Sequence, residues 1–453
     1  TSLALTGLLT LITLYLVIFR AARSVEVGCA AAFVLLLSKA FLDFATTGLE
    51  DSLTRLLLVL FVLCLLAPEP GRPRNLGLLA SLTALGTLSR PDALLLFLPA
   101  LGYVLVRGGG REGHRPGRGL GWIALGFLPL ALWGLFAFVY YGSPLPNTAY
   151  AKLGMGVPRS WLLLQSGFFL WNSLLRDPVT LGVTVAACVV AVRRPHPVAT
   201  PLAAGGALYF AYVVWIGGGY MSGRLLSAPF FLAVLALARY PAERWWRSRP
   251  VLALALALLA LAPRIYGPFV FEETGKIDPH GIGDERRLYY PFTGLLPGLG
   301  EERWPDHYLR DEGEIARDGP PVQLAGTVGM YGFYAGPGVH VVDWHGLTDP
   351  LLARLPAIVT GPYVAEEPTN WRPGHGWRPI PEGYLESLRT DTNRIEDPDL
   401  ARYYEAIRRV TRGELWDRER LITALELDLG VYDHWRDAYV ASHREAFERM
   451  PER

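Results

Sequence analysis

The sequence predicts a polytopic α-helical membrane protein of about ten spans, followed by a C-terminal mixed α/β domain outside the bilayer. Three observations predict it. About ten strongly apolar segments fill the chain from Ser2 to Ile265, arginines gather on alternate loops between them, and the roughly 190 residues that follow turn abruptly polar. The expected division is 1–265 for the membrane domain and 266–453 for the outer one.

A crossing needs about 20 mostly apolar residues. The candidate spans are Leu3–Phe19, Val25–Phe41, Leu53–Ala67, Leu76–Leu88, Ala93–Val106, Trp122–Tyr140, Val179–Val192, Pro201–Ile216, Leu225–Ala238 and Val251–Ala262. Basic residues concentrate at Arg20/Arg23, Arg72/Arg74, Arg107 to Arg118, Arg193/Arg194 and Arg239 to Arg249, and the positive-inside rule makes these loops cytoplasmic. Ten crossings reconcile them. Outward, the C-terminal domain lies on the periplasmic side of a plasma membrane.

Charge separates the two parts. Of 43 basic and 42 acidic residues, 22 and 9 precede Tyr266, leaving 21 and 33 after it. The net charge of +1 hides a basic cytoplasmic rim and an acidic exterior, which argues against a nucleic-acid partner. Cys29, Cys64 and Cys188 all lie inside apolar runs and show no metal spacing, so they neither staple the outer domain nor bind metal. The chain opens on Thr1, within an apolar run and without a cleavable signal pattern, so an outward loop and a span are expected upstream.

The outward loops carry the chemistry. In Lys39 to Asp51, Lys39 and Asp43 stand four apart and can pair on one helix face. Either this is a helix-terminal ion pair with a Thr-Gly turn, or Asp43 and Glu50 rim a cavity where a carboxylate holds sugar hydroxyls or acts as a base. Ser89-Arg90-Pro91-Asp92 presents a guanidinium to a phosphate, or is a tight turn with a snorkelling arginine. Tyr140 to Lys152 joins a rigid Pro turn to Asn147, Tyr150 and Lys152, one of three lysines in an arginine-dominated chain. Trp161–Leu175 reads as an interfacial or re-entrant helix. Gly217 to Arg224 allows close backbone approach and sets Arg224 at a span's start, suited to an anionic lipid head group.

In the outer domain, Val322–Val328, Val339–Val342 and Pro356–Thr360 read as buried strands. Asp397-Pro398 caps a helix to about Arg412, and two more amphipathic helices end the chain. His345, Asp349 and His375 suit sugar binding, a metal set or plain structural hydrogen bonding, but no ligand pair has convincing metal spacing. Trp344, Trp371 and Trp377 suit stacking on sugar faces or a core.

Leu42 to Glu50, Arg90-Pro-Asp92, Tyr141 to Lys152, Gly217 to Arg224 and Gly346 to Arg354 together resemble the GT-C family of arabinofuranosyltransferases, those acting on actinobacterial cell-wall arabinan. The resemblance spans nearly the whole chain. It implies a GT-C-like membrane domain and transfer of D-arabinofuranose from decaprenyl-phosphoryl-arabinose to arabinogalactan or lipoarabinomannan ends. The implied partners are thus a polyprenyl-phosphate-linked sugar donor, a polysaccharide acceptor and membrane lipid. No cofactor is implied, and a divalent metal is not indicated. Family members carry the catalytic aspartate in the first outward loop, expected upstream of Thr1, so the base is unassigned here and Asp43 or Glu50 is only a substitute. Gly219 stands where an aspartate is expected in the glycine-rich loop. On this reading Arg224, Lys152 and Arg90 hold the departing lipid phosphate, while Asn147, Tyr150, Asp92, His345 and Asp349, with Glu50, orient sugars.

Two rivals remain from the sequence. A lipid-linked sugar transporter or flippase also has many spans, but inverted repeats and paired broken helices are not found. A non-catalytic wall-polymer-binding scaffold fits the glycine at position 219.

Overall fold

The computed structural model describes residues 2–108, 116–241, 277–361 and 371–448. Along the first half run α1 (Ser2–Leu16), extended by one wide turn to Ala21, α2 (Val25–Leu36), α3 (Lys39–Leu42), α4 (Asp51–Leu65), α5 (Pro73–Ser89) and α6 (Leu94–Gly108). Then come α7 (Pro116–Tyr141), α8 (Asn147–Leu153), α9 (Arg159–Arg176), α10 (Pro178–Arg193), α11 (Ala199–Trp215) and α12 (Arg224–Leu237). Nine of the expected apolar runs fall on these helices; the tenth, Val251–Ala262, lies outside the described residues.

Helix length does not bear out ten crossings. Among the described residues, Ser2–Ala21 and Gly119–Tyr141 are long and apolar enough to cross a membrane, making two spans, or three if the bent pair α9–α10 counts as one. A 15-residue helix such as α4 reaches only about 22 Å, short of a hydrocarbon core of about 30 Å. Local chemistry shortens them. The expected run Val25–Phe41 stops at Leu36 because Ser38 restarts the chain as the cap of α3, its hydroxyl accepting from the Phe41 N–H at 3.0 Å. Arg90 leaves helical backbone ahead of Pro91, separating α5 from α6. The α9–α10 pair bends by 108° at Asp177, which fits the expected re-entrant stretch Trp161–Leu175.

The chain divides into two compact units. The first holds residues 1–131, 166–276 and 282–286. Its core joins Phe41, Phe61, Phe97, Phe169, Phe230 and Phe231 with leucines and valines of α4, α6, α11 and α12. Gly205 lets α11 meet α6, since a Cβ there would lie 2.3 Å from the Leu96 carbonyl oxygen. In α1 one face turns Thr10 inward, its hydroxyl 2.9 Å from the Ala45 carbonyl and 3.1 Å from the Ser52 hydroxyl. Leu5, Leu8, Leu11 and Tyr15 on the same helix are exposed, as a lipid-facing surface requires.

The second unit holds residues 132–165, 277–281 and 287–453. The expected boundary at residue 265 lies outside the described residues. However, 132–165 group with the C-terminal residues and 282–286 with the helical unit, because each makes its contacts there. Helices α13 (Glu285–Thr293) and α14 (Tyr308–Arg317) lead to β1 (Val322–Ala325), α15 (Val328–Ala335) and β2 (His340–Asp343). β1 and β2 are parallel, with Val322 opposite His340 and Ala325 opposite Asp343. A hairpin of β3 (Trp371–Arg372) and β4 (His375–Gly376) follows. The chain then ends in α16 (Tyr384–Thr390), α17 (Pro398–Arg412), α18 (Arg418–Asp428), α19 (Asp433–Ser442) and α20 (Arg444–Glu448). Asp397 caps α17 as expected, accepting from the Asp399 and Leu400 N–H groups.

Two strand expectations change. Val322–Val328 ends at Ala325 because Val328 opens a helix, and Pro356–Thr360 is no strand. Its backbone is held from two different directions, the Ala357 N–H donating to Met155 O at 3.2 Å and the Ile358 N–H to Trp377 O at 2.7 Å. The core here packs Val342, Leu351, Leu352, Leu355, Tyr384 and Tyr403.

Candidate functional site

In the first unit three helix ends converge. Gly48, in the left-handed region at φ +79°, turns the chain so that Glu50 and Asp51 begin α4. Arg90 ends α5, and Gly223, at φ +74°, launches Arg224 as the first residue of α12. Arg224 Nη2 donates to both Glu50 oxygens, at 2.9 and 3.1 Å, while Arg90 Nη1 lies 3.6 Å from the same carboxylate. Asp51 stands 3.6 Å from Arg224 Nε and 3.8 Å from Arg90 Nη1. Two guanidiniums from different helices therefore share one half-exposed carboxylate, the arrangement a phosphate oxygen cluster would also satisfy.

Supporting groups hold this pair. Asp92 accepts from Arg90 Nε at 3.0 Å and Nη2 at 2.8 Å, and from the Tyr209 hydroxyl at 2.9 Å. Arg55, one turn after Asp51, is 1% exposed; it donates to the Ser227 hydroxyl at 2.6 Å and stacks 4.4 Å from the Phe41 ring centre. Its Nε and Nη1 make no hydrogen bond among the described residues, so this buried charge is only partly compensated.

A second ionic cluster pins the loop before Arg224. Met221 bridges Gly283: the Ser222 N–H donates to Gly283 O at 2.9 Å and the Gly283 N–H to Tyr220 O at 2.7 Å. Next to it Lys39 pairs with Asp43 and, at 3.1 Å, with Asp284, which Arg176 approaches at 3.5 Å; Arg286 lies 3.4 Å from Asp43. At the α9–α10 corner Asp177 accepts from the Ala40 N–H at 2.8 Å and from the Ser38 and Thr180 hydroxyls at 3.1 and 2.6 Å.

The structure sorts the expected residues. Arg90, Arg224, Glu50 and Asp92 come together in the first unit; Lys152, Asn147, Tyr150, His345 and Asp349 belong to the second. Several expected sugar contacts are occupied by the protein itself. Asp92 is spent on Arg90 and Tyr209. Asp43, a candidate base, is ion-paired. The Tyr150 hydroxyl bonds Asp428 at 2.7 Å and Ser143 at 2.8 Å, with Arg354 stacked 4.4 Å above its ring. Asn147 donates to Thr348 O at 3.3 Å. Asp349 is 3% exposed and accepts from the Leu351 and Leu352 N–H groups at 3.0 and 2.8 Å and from the Tyr384 hydroxyl at 2.7 Å, which makes it a cap inside the core. A groove of about 320 Å³ lies beside Tyr150, walled by Leu145, Ala149, Leu153, Arg354 and Arg436.

Around His345 the second unit is tightly wired. Arg378, 3% exposed, donates to the carbonyls of Leu355 (3.0 Å), Gly376 (3.0 Å), Ala151 (2.7 Å) and His345. Asp343 accepts from the His345, Leu347 and Thr348 N–H groups, folding the Gly346–Asp349 turn. The His345 and His375 rings meet edge to face at 5.5 Å, and the Trp344 and Trp377 rings lie 5.7 Å apart, tilted by 46°. Among the described residues no three His, Cys, Asp or Glu side chains are placed to hold a metal ion.

These groups set an acid limit on stability. Burial, helped by the nearby Arg372, pushes His345 down to about 4 and His375 down to about 3 from 6.5. The unfolded chain then binds more protons below pH 6.5, so this stabilisation is complete above 6.5 and lost as pH falls through the folded values. Burial raises Asp349 to about 6 from 3.8, an opposite contribution, present below 3.8 and lost as pH rises through 6. Two histidines outweigh one carboxyl. The midpoint of thermal unfolding is expected to fall between pH 6.5 and 4, and the His345→Gln/His375→Gln variant is expected to flatten that slope.

Sequence reasoning missed Asp51, Arg55, Tyr209, Arg286 and Asp284. The Asp51-to-Arg55 spacing of four at the start of an apolar run was the available signal, since an ionisable residue within a membrane helix is a functional candidate by default. Tyr209 has none, and Asp284 joins Lys39 only through the fold.

A family model described as dolichyl-phosphate-mannose-protein mannosyltransferase matches residues 2–133, which include Glu50, Asp51 and Arg90. A relative from Mycobacterium tuberculosis, named terminal β-(1→2)-arabinofuranosyltransferase, is 27% identical over 394 residues, 69% of this chain and 61% of that protein. The chain is similar to terminal β-(1→2)-arabinofuranosyltransferases. A second protein of that name, from Corynebacterium glutamicum, is 23% identical over 362 residues, 63% of this chain and 51% of the relative. The chain thus covers between half and two thirds of the length of these relatives. No solved structure matches it. The resemblance to arabinofuranosyltransferases read from the motifs is borne out by these relatives, and the residues of the family match take in the Glu50/Asp51 start of α4 and the Arg90 end of α5.

Proposed function

We propose that the protein is a membrane glycosyltransferase that moves D-arabinofuranose from decaprenyl-phosphoryl-arabinose to the ends of cell-wall arabinan, in arabinogalactan or lipoarabinomannan. One observation carries the reading: the Arg90 and Arg224 guanidiniums converge on the single Glu50 carboxylate. An anionic phosphate fits the same two donors, and a polyprenyl phosphate is the leaving group of such a reaction. The names of the relatives support the sugar and the linkage.

The chemistry is displacement at the anomeric carbon. An acceptor hydroxyl oxygen forms the new bond to C1, the bond from C1 to the phosphate oxygen breaks, and the electron pair leaves with the lipid phosphate. Negative charge grows on that oxygen, where preorganised guanidiniums lower the barrier most. Arg90 is steadied by Asp92 and Tyr209, so its position costs little reorganisation at the moment of reaction. Glu50 then exchanges its arginine contacts for sugar hydroxyls. The acceptor proton goes to a carboxylate base, the role that family resemblance gives to an aspartate. The site faces the periplasmic side of the plasma membrane, with the C-terminal unit extracytoplasmic.

The test is transfer of labelled arabinose from synthetic polyprenyl-phosphoryl-arabinose to an arabinan oligosaccharide by the purified full-length protein. Terminal β-(1→2)-linked product is the expected result. Absence of transfer from any polyprenyl-phosphate sugar, with the protein folded, would return the reading to a transporter or a wall-binding scaffold.

A further inference from the structure

One turn beyond the Glu50/Arg224 pair, α4 and α12 are tied a second time. Arg55 stands four residues after Asp51 on α4, and Ser227 three residues after Arg224 on α12; Arg55 Nη2 donates to the Ser227 hydroxyl at 2.6 Å. Both side chains are shut off from solvent, and Phe41, whose ring carries the guanidinium, belongs to the apolar core of the first unit. Stability does not account for a charge in this place. Among the described residues Arg55 Nε and Nη1 are buried without a hydrogen bond, so the desolvation of the guanidinium is only partly offset. An apolar side chain of similar volume is often neutral or stabilising at such a position.

The electrostatic neighbour of Arg55 is Asp51. That carboxylate is 3% exposed, and its Oδ2 accepts no hydrogen bond among the described residues. It stands 3.6 Å from Arg224 Nε and 3.8 Å from Arg90 Nη1, and Arg55, on the same face of α4, supplies a third positive neighbour. The carboxylates of Glu50, Asp51 and Asp92 are thereby matched in charge by the guanidiniums of Arg55, Arg90 and Arg224. Without Arg55 the cluster carries a net negative charge, which an arriving phosphate would meet at short range and in a poorly solvated place. Asp51 would then draw on Arg90 and Arg224 alone.

We infer that Arg55 is a positioning residue of the phosphate site: it holds α12 against α4 next to Arg224 and offsets Asp51, which leaves Arg90 and Arg224 directed at the Glu50 position where the donor phosphate is taken up. The inference rests on the donor reading proposed above. Arg55 itself touches no substrate. At 1% exposed and one turn further along α4, it acts through Ser227 and Asp51.

The experiment compares Arg55→Met, Arg55→Lys and Ser227→Ala with the wild type, as full-length protein, in arabinose transfer, in binding of a short-chain polyprenyl phosphate and in thermal unfolding. Arg55→Met is expected to weaken phosphate-lipid binding and lower kcat/KM by roughly 10-fold, the size of effect a residue outside a site exerts through packed neighbours. Its unfolding midpoint is expected to stay level or rise. Arg55→Lys keeps the charge and should recover most of the binding. Ser227→Ala keeps the charge but cuts the tie to α12, so turnover should fall while donor KM stays near the wild-type value. Wild-type binding and transfer in Arg55→Met would overturn the inference, as would a midpoint that falls in step with activity, or a lysine variant no better than the methionine one. If the wild type binds the phosphate lipid but transfers no arabinose, the sugar reading fails and the binding series still decides the role of Arg55. If it binds none, both fail.

Discussion

Under the proposed function, Arg224→Ala is expected to lower arabinose transfer by roughly 100-fold or more while leaving unfolding almost unchanged. The asymmetry comes from where the side chain sits. Its head group is 22% exposed and its chief partner, Glu50, 28% exposed, so water can solvate the carboxylate left behind. The energy lost is that of a donor aimed at charge which appears only as the phosphate leaves, so the decline is expected in turnover more than in donor KM. Glu50→Gln should act differently: it removes the competing carboxylate while preserving shape, so binding of inorganic phosphate or a polyprenyl phosphate should tighten. Parallel losses of turnover and stability in Arg224→Ala, read by transfer assay and thermal unfolding, would assign the arginine a structural role and remove the support for a phosphate site.

Arg378→Ala is expected to destabilise the second unit by about 3–5 kcal/mol, the range for breaking a buried charged network. Its guanidinium serves four carbonyls, of Ala151, His345, Leu355 and Gly376. These come from four separate stretches of chain, and alanine leaves all of them short of a donor in a space that water must fill. Burial depresses this arginine to about 10, which is still far above neutral pH, so it stays charged. Faster hydrogen exchange at 343–358 and a lowered unfolding midpoint are the expected readings. An unchanged midpoint would mean that water replaces the guanidinium at little cost, and the account of this core would be wrong.

Periodicity and punctuation made much of the fold legible. The apolar runs marked helices among the described residues, and Asp397-Pro398 announced a helix start because capping is decided within a few residues. Span length was less legible, since a window of hydropathy does not register that Ser38 caps a new helix or that Arg90 precedes a proline. Pro356–Thr360 was misread for a similar reason: an apolar run bounded by turns suits a strand, but its hydrogen-bond partners are Met155 and Trp377, not a neighbouring strand.

The candidate site divides the same way. Arg90, Arg224 and Glu50 stood out as charges at the ends of apolar segments, because placing charge there is costly and therefore informative. Asp92, Tyr150 and Asp349 carried equally suggestive chemistry, yet their lone pairs and protons are consumed by Tyr209, Asp428 and Tyr384, each more than thirty residues away. By itself the sequence determined which segments are apolar, where helices start and which charges sit at their ends, since these depend on neighbours within a turn or two. Only the tertiary structure decided that Arg90 and Arg224 share Glu50, that Asp284 reaches Lys39, and that Asp349 is buried in a core. Those outcomes depend on which distant groups meet, and a polar side chain is free for a ligand only when no such meeting has already satisfied it.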